Sequence, residues 1–126
     1  MSKFIQKLEQ QFSNLIRTYR KNKIGKGPEK IKVTFIRNWA IAYMSGCLSP
    51  VERFITRSKE GQDMIWHART RMVKELYNEF APTEMEQLVG VKFVKLFTDV
   101  DLEKDEVVSI FVFEKPIDGT ENMFSI

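Results

Sequence analysis

Apolar residues recur at three- and four-residue spacing from Ile5 through Leu8, Phe12, Leu15, Ile16 and Tyr19, with Lys, Gln, Glu and Arg between them. That period predicts an amphipathic helix over residues 3–22, broken by Gly25 and Gly27 and barred from continuing by Pro28. The period then falls to two. Ile31, Val33 and Phe35 alternate with Lys32 and Thr34, and Trp39, Ile41 and Tyr43 alternate with Ala40, Ala42 and Met44. Two strands are expected, joined by an Arg37-Asn38 turn in which Asn takes the positive φ and ending near Gly46.

Ser49-Pro50-Val51-Glu52 combines an N-cap serine, proline at the first helical position and glutamate at the capping-box position, so a short helix starts there. After a break around residues 58–61, a longer helix is expected from Lys59 to Phe80. Its apolar face is Ile65, Ala68, Met72, Leu76 and Phe80, widened by Met64, Val73 and Tyr77. Pro82 stops it. Thr83-Glu84-Met85-Glu86 opens another short helix that Gly90 closes. Val91–Thr98 and Val107–Glu114 read as strands, with the acidic segment 99–106 as their hairpin loop and Pro116 as the stop.

The order α-ββ-ααα-ββ predicts an α+β domain over residues 1–115, with helices on one face of a four-stranded antiparallel sheet and a mobile tail over 116–126. The last strand complicates this layering. Val107, Phe111 and Phe113 point one way, whereas Val108, Ile110 and Val112 point the other. Both faces are apolar, so either the N-terminal helix or another subunit covers the second one, and a homo-oligomer is expected. The central ββ-αα-ββ order is similar to the T-fold of pterin-handling enzymes in topology alone, and topology carries no function.

Composition removes several classes. A chain of 126 residues that is 43% hydrophobic, with ten Phe, has material for one core. Cys47 is the sole cysteine, which argues against a disulfide framework and for a buried small side chain. The start turns polar too early for a signal peptide, and the longest apolar runs, 39–44 and 110–113, fall far short of the ~20 residues of a membrane span. A soluble, cytoplasmic protein is expected. A net charge of +3, from 20 basic and 17 acidic residues, is too mild for a dedicated nucleic-acid binder, and no recognition motif appears. The charge is polarised, however: residues 17–32 carry seven bases and one acid, while 99–106 carry five acids and one base.

Chemistry-bearing candidates are few. Gly25, Lys26 and Gly27, with Arg17, Arg20 and Lys32 nearby, could cradle an anion or nucleotide on backbone amides. They follow a helix rather than a strand, so they form no Walker loop, and a helix cap leading into a rigid turn is the plainer reading. Asp99, Asp101, Glu103 and Asp105 resemble a calcium loop but have Lys104 where glycine belongs and Ile110 where the bidentate glutamate belongs. A solvated hairpin loop fits them better, and the alternative is electrostatic docking on a basic partner surface, such as residues 17–32 of a neighbouring copy. His67 alone builds neither a metal site nor a nucleophile–base pair, and Arg53, Arg57, Arg69 and Arg71 read as a solvated helix face beside Glu52, Glu60 and Glu75. No cofactor, metal or catalytic constellation is expected.

A family resemblance supplies more. Ile16-Arg17 with Arg20-Lys21, then Gly25-Lys26-Gly27-Pro28-Glu29 leading into Ile31-Lys32-Val33, resembles the opening of the MpsC family. Leu48-Ser49-Pro50-Val51-Glu52, Ala68-Arg69-Thr70, Leu88-Val89-Gly90-Val91-Lys92 and Thr98-Asp99-Val100-Asp101 continue the match, so that it covers residues 3 to about 115. The resemblance implies a component of a bacterial sodium-translocating, membrane-potential-generating system, with relatives in bicarbonate uptake, and no catalytic residues to carry over. Without a span, the expectation is a non-enzymatic accessory or regulatory protein. It would self-associate and attach peripherally, at the inner face of the membrane, to an embedded transport partner.

Overall fold

The computed structural model describes residues 3–79 and 83–120. The chain runs α1 (Lys3–Lys23), β1 (Lys30–Ile36), β2 (Trp39–Ser45), α2 (Pro50–Ile55), α3 (Lys59–Glu79), α4 (Thr83–Val89), β3 (Phe93–Asp101) and β4 (Glu106–Phe113). The strands form one antiparallel sheet in the order β1-β2-β4-β3. The expected α+β architecture is present.

Local chemistry sets the elements. The α1 stripe buries Ile5, Phe12 and Ile16, and the helix closes with the amides of Ile24 and Gly25 donating to the Arg20 carbonyl. Gly25, at φ +99°, takes a conformation that glycine reaches without steric cost. At α2 the capping box is complete: Glu52 N–H donates to Ser49 Oγ (3.3 Å) and Ser49 N–H to Glu52 Oε1 (2.9 Å). Gly61 lets the start of α3 pass against α2, since a Cβ there would stand 1.8 Å from the Ile55 carbonyl oxygen.

The core lies between the sheet and the helices. Phe12 of α1 sits at its centre, edge-on to Phe35 (5.5 Å), Phe111 (5.3 Å) and Phe113 (6.1 Å). Tyr77 of α3 meets Phe111 edge-on at 5.2 Å and stacks on Tyr19 at 4.5 Å. Phe35 N–H donates to Glu9 Oε2 (2.8 Å), tying β1 to α1. Helices α1 and α3 therefore share one face of the sheet, and α1 does not cover the other.

Four local expectations change. In the β1–β2 turn Arg37, at φ +56°, takes the left-handed conformation instead of Asn38. The following segment holds it there: Arg37 N–H donates to Asp118 Oδ2 (2.6 Å), and Ile117 N–H to the Arg37 carbonyl (2.6 Å). Residues 116–120 of the expected tail are thus anchored, with Ile117 buried, and 121–126 lie outside the described residues. The acidic hairpin loop shrinks to 102–105, because β3 extends through Asp101. Val100 packs against the core between outward Asp99 and Asp101, so strand alternation continues through the acids. Finally, the buried face of α3 is narrower than expected and shifted to one side. Ile65, Val73 and Tyr77 are buried as expected, joined by Gly61 and Arg69, whereas Ala68 is exposed, Met72 is 37% exposed and Phe80 lies outside the described residues.

Candidate functional site

Alternation along the strands puts a second set of side chains on the sheet face away from the helices. The register aligns them in rows across the sheet: Thr34, Ile41, Ile110 and Phe97 in one, Lys32, Tyr43, Val108 and Asp99 in the next. One row further are Lys30, Ser45, Glu106 and Asp101. The middle of this face is apolar and open, with Trp39 40%, Tyr43 47% and Phe97 52% exposed. At about 4.8 Å between strands and about 3.3 Å per residue the whole face, charged edges included, spans roughly 19 by 23 Å. An exposed apolar patch within such a face marks a candidate interaction site. The two edges of the face differ in net sign. The β1 edge carries Lys30 and Lys32, and the β3 edge carries Asp99 and Asp101 together with Lys95, whose ammonium lies 5.1 Å from the Phe97 ring centroid.

The acidic candidates divide between two roles. Asp99 and Asp101 lie on the open face, and Glu103 is exposed in the turn. Asp105 turns inward, at φ +51°, where its Oδ1 accepts from the amides of Cys47 (2.9 Å) and Leu48 (3.1 Å) and its Oδ2 pairs with Arg53 (3.3 Å).

The six anion-cradle candidates are dispersed. Arg17 is exposed on α1, Lys32 faces outward on β1, and Arg20 is buried at 2% exposure. Lys26 donates to the Gly46 carbonyl and lies 3.9 Å from Glu29. The backbone of α1 closes on Gly27, whose Cβ position is 3.1 Å from the Arg17 carbonyl oxygen, while Gly25 faces open space.

Two arginines form a second feature inside the fold. Arg69, 5% exposed, grips Glu52 with Nε (2.6 Å) and Nη2 (2.5 Å) and donates from Nη2 to the Cys47 carbonyl (2.8 Å). Burial alone would raise the Glu52 carboxyl. The Arg69 hydrogen bonds, the Ser49 amide and the Arg69 charge outweigh it and hold the carboxyl below its ordinary range. Burial likewise pushes the Cys47 thiol up, partly offset by Arg20. Sequence reasoning counted Arg69 as solvated and took Arg20 for an anion-cradle side chain, and foresaw the burial of neither. The signal was spacing: Arg20 continues Phe12 and Ile16 at four-residue steps, and Arg69 sits midway between Ile65 and Val73.

Among the described residues no group of three or more His, Cys, Asp or Glu could hold a metal, and no helix is long and apolar enough to cross a membrane. A family model described as "Na+-translocating membrane potential-generating system (MpsC)" matches residues 5–115. The chain is 44% identical to "Uncharacterized protein YrhF" of Bacillus subtilis (strain 168) over 108 residues, 86% of this chain and 88% of that one. It is 28% identical to "Uncharacterized protein YbcI" of the same organism over 104 residues, 82% and 83% of the two chains. No solved structure gives a significant match.

Proposed function

The chain belongs to the MpsC family, and on that premise we propose that it is a non-enzymatic, cytosolic accessory or regulatory protein of a sodium-linked, membrane-potential-generating system. It acts by binding, and its first partner is a second copy of itself. The observation that carries this reading is the open apolar sheet face with oppositely charged edges.

The charge pattern of the face supports one pairing in this dimer. Sheets stack face to face about 10 Å apart with strands within about 30° of alignment. A two-fold axis running along the strands sets β1 of each copy over β3 of the other and β2 over β4. Lys30 and Lys32 then meet Asp101 and Asp99 twice, while Trp39, Ile41 and Tyr43 cover Val112, Ile110 and Val108. A two-fold across the strands would instead set lysine against lysine. The first arrangement is self-complementary, as a two-fold dimer interface must be.

Multi-angle light scattering across a wide concentration range tests the association. The wild type should run at twice the chain mass and Tyr43→Lys at the chain mass with its fold intact by circular dichroism. A wild type that stays monomeric throughout would overturn the pairing. The physiological role is tested by potential-sensitive dye uptake under sodium load in cells lacking this chain. An unchanged membrane potential there would overturn that part.

A further inference from the structure

Helix α1 turns a basic stripe away from the core. Lys3, Lys7, Arg17 and Lys21 are all exposed, with Gln10 and Asn14 between them, so the six positions follow one another at steps of four and three residues. At about 100° per residue the four cations fall within an arc of about 80°, on the side away from the buried Ile5, Phe12 and Ile16. At about 1.5 Å per residue they span roughly 27 Å. No acid interrupts the line. The helix has one carboxylate, Glu9, and it turns toward β1, where it accepts from Phe35 N–H. None of the four cations lies within ion-pair distance of a carboxylate among the described residues. Helix α3 differs, because its exposed Arg71 and Lys74 share their surface with Glu60, Asp63 and Glu75. At the start of the α1 stripe Phe4 stands beside Lys3 and Lys7, and it is 68% exposed.

We propose that this stripe lays α1 on a membrane surface rich in anionic phospholipid, with the four cations on lipid phosphates and Phe4 in the headgroup layer. A plane of mobile headgroups brings a phosphate to each cation along a straight line, and the long Lys and Arg stems give the reach. Four cations on one helix face meet the count at which attraction to an anionic leaflet becomes effective. The helix is already folded and packed by its other side, so docking orders little beyond these side chains. The choice of lipid over nucleic acid rests on the proposed place of this protein in a membrane system, and on Phe4. An apolar ring gains from the boundary between headgroups and acyl chains and gains nothing from a phosphate backbone. Stacking two copies through the open sheet face leaves the stripe uncovered, because α1 lies on the other side of the sheet.

Partitioning of the full chain onto sedimented vesicles is the test. Vesicles of equal parts phosphatidylglycerol and phosphatidylcholine should bind it and pure phosphatidylcholine should not. Binding should fall steeply between about 50 mM and about 500 mM salt. Lys7→Gln with Arg17→Gln should weaken partitioning about 25-fold, about fivefold for each charge removed. Phe4→Ala should weaken it severalfold. All three positions are exposed, so circular dichroism should show the fold unchanged. Equal binding to both kinds of vesicle, binding to neither, or wild-type affinity in the double variant would overturn the proposal. So would tighter binding to a duplex DNA oligonucleotide than to the anionic vesicles, which would mark the stripe as a nucleic-acid face. Vesicle binding that persists while cells lacking the chain keep an unchanged membrane potential upholds the lipid face and overturns only the functional reading. An altered potential without vesicle binding overturns only the lipid face.

Discussion

Lys32 and Asp99 stand on one cross-strand row of the open sheet face, linked through Tyr43 and Val108 and separated by the full width of the sheet. They are too far apart to pair within one chain, and in the proposed dimer, stacked about an axis along the strands, each would meet its counterpart on the other copy. Lys32→Glu should raise the dimer dissociation constant severalfold, since each exposed pair contributes about 0.2–1 kcal/mol and the symmetry counts it twice. Asp99→Lys should do the same. The double reversal should recover most of the loss, with the effect fading at high salt, as read by sedimentation equilibrium.

Glu52→Gln separates charge from shape in the buried cluster. Glutamine can still accept the Ser49 amide, but Arg69 loses its only carboxylate partner among the described residues. Leaving a buried charge uncompensated should cost about 3 kcal/mol in urea unfolding, the lower end of the range for such pairs, because the Glu52 side chain keeps 20% of its exposure.

Acid should weaken the fold through the same carboxyl. The folded-state pKa of Glu52 is held below its unperturbed value of 4.5. Its contribution is therefore present above that value and lost as pH falls through the folded one. Asp118 behaves alike: the Thr120 hydroxyl and the Arg37 amide outweigh its burial and hold its carboxyl low. Urea midpoints should decline as pH drops below about 5. Glu52→Gln should flatten that limb relative to the wild type.

Gly61→Ala should destabilise despite alanine's better helix propensity. The added methyl would overlap the Ile55 carbonyl, an atom of a helical backbone that cannot swing aside as a side chain would. A loss of about 2 kcal/mol or more is expected from overpacking, against about 1 kcal/mol gained in propensity, and thermal unfolding should show the net fall.

Local grammar made most of the fold legible. Ser49 and Glu52 announced α2 because a capping box is satisfied within four residues. The period of two between Ile31 and Met44 announced a hairpin for the same reason. Where neighbours in space decide, the reading slipped. The α3 stripe could be drawn through Ala68 and Met72 or through Arg69 and Val73, and only packing against β3 and α2 chose the second. Arg69 looked solvated because its partners, Glu52 and the Cys47 carbonyl, come from distant parts of the chain.

The candidate site divides along the same line. The apolar alternation of β4, the opposite charges of segments 17–32 and 99–106, and the family resemblance all stood in the linear order of residues. That α1 joins α3 on one face, leaving the other open, was decided by the tertiary structure. So were the placement of Lys32 and Asp99 on one row and the burial of Arg20 and Arg69. Period and capping are local quantities of a few residues. Which face is covered, and which charge meets which, depends on how separate elements share a single core.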